Sequence, residues 1–123
     1  MKTVDFVTTL FDGAANPAKV TVAFNMARNA QKKGLATMIV LMVQGVELGL
    51  PGATEGIDVG QPFEPVKDML AAFLADGGRI GICKSCMIYA GFTEDQIDPA
   101  CEVITAPDII DLLTTAKGSL QIT

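Results

Sequence analysis

Apolar positions along the chain alternate between two rhythms, strand-like runs and a 3.6-residue helical repeat, and each switch of rhythm marks an element. Thr3 to Phe11 is rich in β-branched and aromatic residues and stops at Asp12-Gly13, which predicts a strand and a turn. Asn16-Pro17 reads as a helix start, with Asn16 as N-cap and Pro17 at the first helical position. Val20, Ala23, Phe24, Ala27 and Ala30 recur on one helical face and predict its buried side. Lys19, Thr21, Asn25, Arg28 and Lys32 fall on the other side, and Gly34 ends the helix.

Ala36 to Val43 is apolar almost throughout, the pattern of a strand covered on both faces. Gln44 to Gln61 carries five glycines and Pro51, and only Val46 to Leu50 offers a helical turn. Structureless segments of this length are uncommon in small domains, so this one belongs either to a site or interface or to a loose surface loop. Val66, Met69, Leu70, Phe73 and Leu74 restore the helical repeat, closed by Asp76-Gly77-Gly78. Arg79 to Cys83 is a short apolar strand, and Lys84 to Ala90 a short helix broken at Gly91. Thr93 and Gln96 have capping-box spacing, as do Thr105 and Asp108, with Pro107 just inside the second start. Glu102 to Ile104 is a strand, and Ile109, Ile110, Leu112, Leu113 and Ala116 form a buried helical stripe that Gly118 ends. Leu120 to Ile122 adds an edge strand.

The order β-α-β-α-β-α-β-α-β predicts an α/β fold: one domain over residues 1–123, with a mainly parallel five-stranded sheet and helices on both faces. Sites in such sheets form beyond the carboxyl ends of the strands. Three of those ends are Phe11-Asp12, Val43-Gln44 and Ile82-Cys83.

Composition narrows the chemistry. A length of 123 residues suits one core. No apolar stretch approaches the roughly 18 residues of a membrane span. The N-terminal residues lack the pattern of a signal peptide, so the expected compartment is the cytoplasm. A net charge of −5, a lone Lys32-Lys33 pair, no Trp and one Tyr argue against direct nucleic-acid binding. The absence of His excludes His triads, His proton shuttles and mixed Cys/His zinc sites. Three cysteines cannot all pair within the chain, so free thiols are expected.

Cys83 is the leading candidate for a catalytic residue. It ends a strand just before a helix start, where free amide N–H groups and the helix dipole favour a thiolate, and Lys84 stands next in sequence. The competing reading is a small buried hydrophobe. Cys86 completes a C-x-x-C motif at the same junction, either as a second redox thiol or as a core-facing residue beside Met87. Cys101 opens a strand and reads as filler. No cofactor or metal is expected: three thiolates fall short of a closed four-ligand zinc site, and phosphate-loop, dinucleotide and nucleophile-elbow motifs are absent. Asp12, Glu47 and Glu55 read as solvated loop carboxylates near the rim.

The run Gly77-Gly78-Arg79-Ile80-Gly81-Ile82-Cys83-Lys84-Ser85-Cys86-Met87, with Gly91-Phe92-Thr93-Glu94 behind it, resembles the DsrE/DsrF-like family, also called YchN-like. Ala36 to Val43 followed by Gln44-Gly45-Val46 resembles the family's second strand and turn, and Glu102-Val103-Ile104 before a last helix its usual ending. The likeness covers essentially the whole chain. It implies a doubly wound domain assembling into trimers or hexamers. In the sulfur-relay members one cysteine accepts sulfane sulfur as a persulfide and passes it to a partner thiol, and Cys83 matches that position. Cys86 is a departure, standing where many relatives have Ser, Thr or Asn.

The reading that follows is a cytoplasmic sulfur carrier or sulfurtransferase-like protein, homo-oligomeric, with sulfur donor and acceptor proteins as partners. Two alternatives stay open: a thiol-disulfide redox switch using Cys83 and Cys86, and a non-catalytic oligomeric interaction module.

Overall fold

The computed structural model describes residues 2–123. Five strands, β1 (Phe6–Leu10), β2 (Thr37–Leu41), β3 (Arg79–Cys83), β4 (Cys101–Ile104) and β5 (Gly118–Ile122), alternate with four helices. These are α1 (Pro17–Lys32), α2 (Val66–Ala75), α3 (Lys84–Tyr89) and α4 (Ala106–Thr115), with 3₁₀ turns at Val43–Gly49 and Glu94–Gln96. The strands form one sheet in the order β4-β3-β2-β1-β5, and every neighbouring pair is parallel. The expected α/β architecture is therefore observed.

The strand order follows from the crossovers. From β1 to β4 the chain steps across the sheet in one direction, and α1 and α2 bury Val20, Phe24, Val66 and Phe73 against Leu10, Ile39, Leu41 and Ile82 on one face. The last crossover returns past β1, and a right-handed connection in that direction lies on the opposite face. There α4 sets Ile109 and Leu112 against Val7, Met38 and Val40. Its start is the anticipated capping box: Asp108 accepts from the Thr105 amide at 3.0 Å, and Thr105 Oγ1 accepts from the Asp108 amide at 3.4 Å.

Several expectations change. The first strand is shorter than Thr3 to Phe11, running from Phe6 to Leu10, and before it the Asp5 carboxylate accepts from the Ala36 amide at 2.9 Å. Thr21, expected at the solvent side, is fully buried; its hydroxyl donates to Pro17 O at 2.7 Å, which leaves its methyl group free to pack. Ile110, expected in the buried stripe, is 58% exposed, since Ile109 and Leu112 already cover the sheet. The segment from Gln44 to Gln61 is no loose loop. Its 3₁₀ turn and successive hydrogen-bonded turns, from Leu50 to Ile57, bury Val46, Leu48, Thr54 and Ile57. Among the described residues no helix is long and apolar enough to cross a membrane.

Gly45 locks this segment to the strand edge. Its amide donates to Met42 O at 2.8 Å and Phe11 O at 3.2 Å, and a Cβ there would lie 2.4 Å from the Leu10 carbonyl oxygen. Backbone cannot swing aside as a side-chain tip can. Gly45→Ala is expected to cost about 1–3 kcal/mol, the range for overpacking a filled site, read as a lower urea midpoint. An unchanged midpoint would show that the turn is not held this way.

Candidate functional site

The carboxyl ends of β2 and β3 lie side by side, with Leu41 opposite Ile82. Here β3 passes into α3 without a loop, so Cys83 is at once the last strand residue and the N-cap of the helix, with φ −62° and ψ 115°. Its strand partner is Ile104. Cys83 is only 4% exposed and belongs to the apolar cluster beneath α4, with Val40, Ile104, Ile109 and Leu112.

That burial pushes the Cys83 thiol above its ordinary 9.0, while the Cys86 amide pulls it down, the Cys86 thiol pushes it up, and the Ser85 amide pulls it down. The sequence-based expectation of a thiolate favoured by the helix start is thus corrected. The amides of the helix start favour the thiolate, but burial, the largest cause, outweighs them, and no side-chain cap hydrogen bond forms at Cys83. Lys84 is exposed and is not among the groups that act on this sulfur.

Cys86 stands three residues on, at the third helical position of α3, half-buried and in contact with the clusters on both faces of the sheet. It lines an open cleft of ≈ 460 Å³ whose other walls are Val43, Gln44, Ser85, Tyr89 and Ala90. Two of its walls are exposed apolar side chains, Val43 at 42% and Tyr89 at 95%, and Ile88, next to Tyr89 in sequence, is 61% exposed. Val43 has φ +53°, an uncommon conformation for a β-branched residue that costs about 1–3 kcal/mol. This strain ends β2 and turns the chain into the 3₁₀ segment that forms one wall of the cleft.

The other candidates lie elsewhere. Cys101 faces Ile80, three residues before the Cys83–Ile104 pair, so Cys83 and Cys101 are offset by about 10 Å along the strands. A disulfide between them is out of reach. Cys101 lines a small void of ≈ 40 Å³ under Leu48 and Leu50, and burial, then the charges of Asp98 and Glu102, push its thiol up to about 11. The filler reading fits. The Glu47 carboxylate accepts from the Ala14 amide at 2.8 Å and so fastens the turn after β1. Asp12 accepts from Asn16 Nδ2 at 2.9 Å and lies 3.6 Å from Lys19 Nζ. Glu55 sits in the turn at Gly52. Among the described residues no group of three His, Cys, Asp or Glu side chains converges in a way that could hold a metal ion.

Sequence reasoning found both thiols and the Val43-Gln44 strand end but missed Tyr89. The lone tyrosine of the chain, directly after Ile88 and just before the Gly91 break, was the available signal.

Fold and site together define a doubly wound α/β protein with a thiol pair at the strand-to-helix junction of its sheet rim. The chain belongs to the DsrE/DsrF-like family, which it matches over residues 1–121. It is 28% identical over 102 residues to uncharacterized protein MJ0760 of Methanocaldococcus jannaschii, covering 83% of this chain and 37% of that protein, so it spans little more than a third of that relative's length. Among solved structures it superposes on the ychN protein of E. coli with a TM-score of 0.74 at 18% identity, over 95% of this chain and 97% of the other. A protein of unknown function from Methanobacterium thermoautotrophicum, MTH1491, gives a TM-score of 0.70 at 14% identity, covering 98% and 99%.

The three thiols should separate under alkylation, which consumes the thiolate. Cys86, the thiol on the open cleft, is expected to label first with iodoacetamide at neutral pH. Because the Cys83 pKa is raised, its thiolate appears later on the alkaline side, and its labelling rate should still be climbing above pH 9.0. Cys101 should follow only near pH 11. Peptide mapping across a pH series checks the order; a Cys83 rate that levels off below pH 9.0 would contradict it.

Proposed function

We propose that the protein is a sulfur carrier of the relay type, holding a sulfane sulfur on Cys83 as a persulfide and passing it to a partner thiol. The observation that carries this reading is the position of Cys83: a strand-end thiol at the N-cap of α3, three residues before Cys86, which lines an open cleft.

The chemistry follows from the surroundings. Burial keeps the resting thiol protonated and slow, which guards it against casual alkylation and oxidation. A donor persulfide docked at the rim would excise water and bring its outer sulfur to Cys83. Transfer forms the Cys83 S–S bond as the donor S–S bond breaks, and the donor thiol leaves with the proton. The terminal sulfur of a persulfide is more acidic than a thiol, so the loaded form carries negative charge where the amides of the helix start favour an anion. An acceptor thiol then attacks that outer sulfur.

The exposed apolar rim of Val43, Ile88 and Tyr89 supports docking between protein surfaces, including copies of this chain in a trimer or hexamer. Three free cysteines suit a reducing, cytoplasmic setting. Sedimentation at micromolar concentration should give an oligomer, and a monomer would count against the assembly.

Mass spectrometry after brief incubation with a persulfide donor tests the carrier assignment. Cys86→Ser is expected to gain one sulfur atom, mapped to Cys83, and Cys83→Ser to gain none there. Uptake by Cys83→Ser with none by Cys86→Ser would assign the cargo to the wrong thiol.

A further inference from the structure

A relay needs one thiol, yet a second one stands in the same turn of chain with a different exposure. We propose that Cys86 is a resolving cysteine, which makes the protein a sulfane-sulfur reductase: Cys86 attacks the Cys83 persulfide, a Cys83–Cys86 disulfide forms, and the outer sulfur leaves as hydrosulfide. The loading step rests on the carrier reading above; the resolving step is separate from it.

The positions of the two thiols carry the inference. Cys83 is the N-cap and Cys86 the third residue of α3, the same relation held by Thr105 and Asp108 at the start of α4. There the two side chains touch, with Thr105 Oγ1 and Asp108 Oδ2 2.9 Å apart. Helical geometry at this spacing separates the Cα atoms by about 5 Å, inside the roughly 4.4–6.8 Å span that a disulfide bridges. Both side chains pack at the cluster under α4.

Burial then separates two kinds of attack. A persulfide has an inner sulfur, the Cys83 Sγ, and an outer one. Cys83 is only 4% exposed, so a thiol arriving from solution meets the outer atom, at the end of the persulfide, before the inner one. Cys86 reaches the inner sulfur from within the fold. It lines the cleft, so water can take its proton. Its attack expels hydrosulfide, a weaker base than an alkyl thiolate and therefore the better leaving group.

The step balances with no outside oxidant. Cys83–S–SH and Cys86–SH give Cys83–S–S–Cys86 and H₂S: one S–S bond breaks, another forms, and the outer sulfur is reduced as the two cysteines are oxidised. A dithiol reductant of the thioredoxin class returns the pair to its thiols by exchange.

The test loads the full chain carrying Cys101→Ser with one equivalent of cysteine persulfide under argon, following mass and sulfide together. The product is expected to be first one sulfur heavier than the reduced chain, then two hydrogens lighter. One hydrosulfide should be released per chain, and peptide mapping should link Cys83 to Cys86. Adding Cys86→Ser should hold the sulfur-loaded mass and abolish sulfide release until dithiothreitol is added. The chain with both thiols intact decides the matter even if that second variant folds poorly. If it keeps its sulfur and forms no disulfide, or forms the disulfide without matching sulfide, the resolving role is overturned and the carrier reading stands. If it takes up no sulfur and releases none, both fall.

Discussion

Strands β2 and β3 are buried along almost their whole length, with Met38 to Leu41 at 1% exposure or less and Ile82 at zero. Their backbone N–H and C=O groups need strand neighbours on both sides, and the neighbours they find are parallel, β1 beside β2 and β4 beside β3. Helices must then cover both faces, and every connection has to emerge at an edge of the sheet. The segments that leave β2 and β3 at the carboxyl edge, the Val43–Gly49 turn and α3, pack against each other there. The cleft beside Cys86 is the gap between them.

At that edge two effects compete for the Cys83 sulfur. Proximity to a helix start is worth about 0.3–1 kcal/mol to an anion, less than one pKa unit at roughly 1.4 kcal/mol. Burial in apolar surroundings can shift a pKa by several units. Burial prevails, so this thiol is a guarded one in its resting state. Cys86, on the cleft side, has the access that Cys83 lacks.

The limits of α2 and β3, the helix start at Asn16-Pro17, and the capping boxes at Thr93 and Thr105 were all legible, because each is set by local periodicity or by contacts within one turn of chain. The strand-end position of Cys83 followed from the same local signals. The fate of Gln44 to Gln61 did not. Five glycines and a proline suggest looseness, yet Gly45 and Gly49 are there because the Leu10 carbonyl and the Ile82 side chain come too close for a Cβ. Those contacts join residues more than thirty positions apart.

The chain by itself determined its alternation of strands and helices, its family and the placing of Cys83 and Cys86 at one strand-to-helix junction, since each is written in spacing and order along a few residues. Only the tertiary structure decided that Cys83 is enclosed while half-buried Cys86 lines a cleft, that Val43 turns with a positive φ to wall that cleft, and that Cys101 lies out of register with Cys83. Accessibility and register are properties of surfaces brought together from distant segments, and no local pattern encodes them.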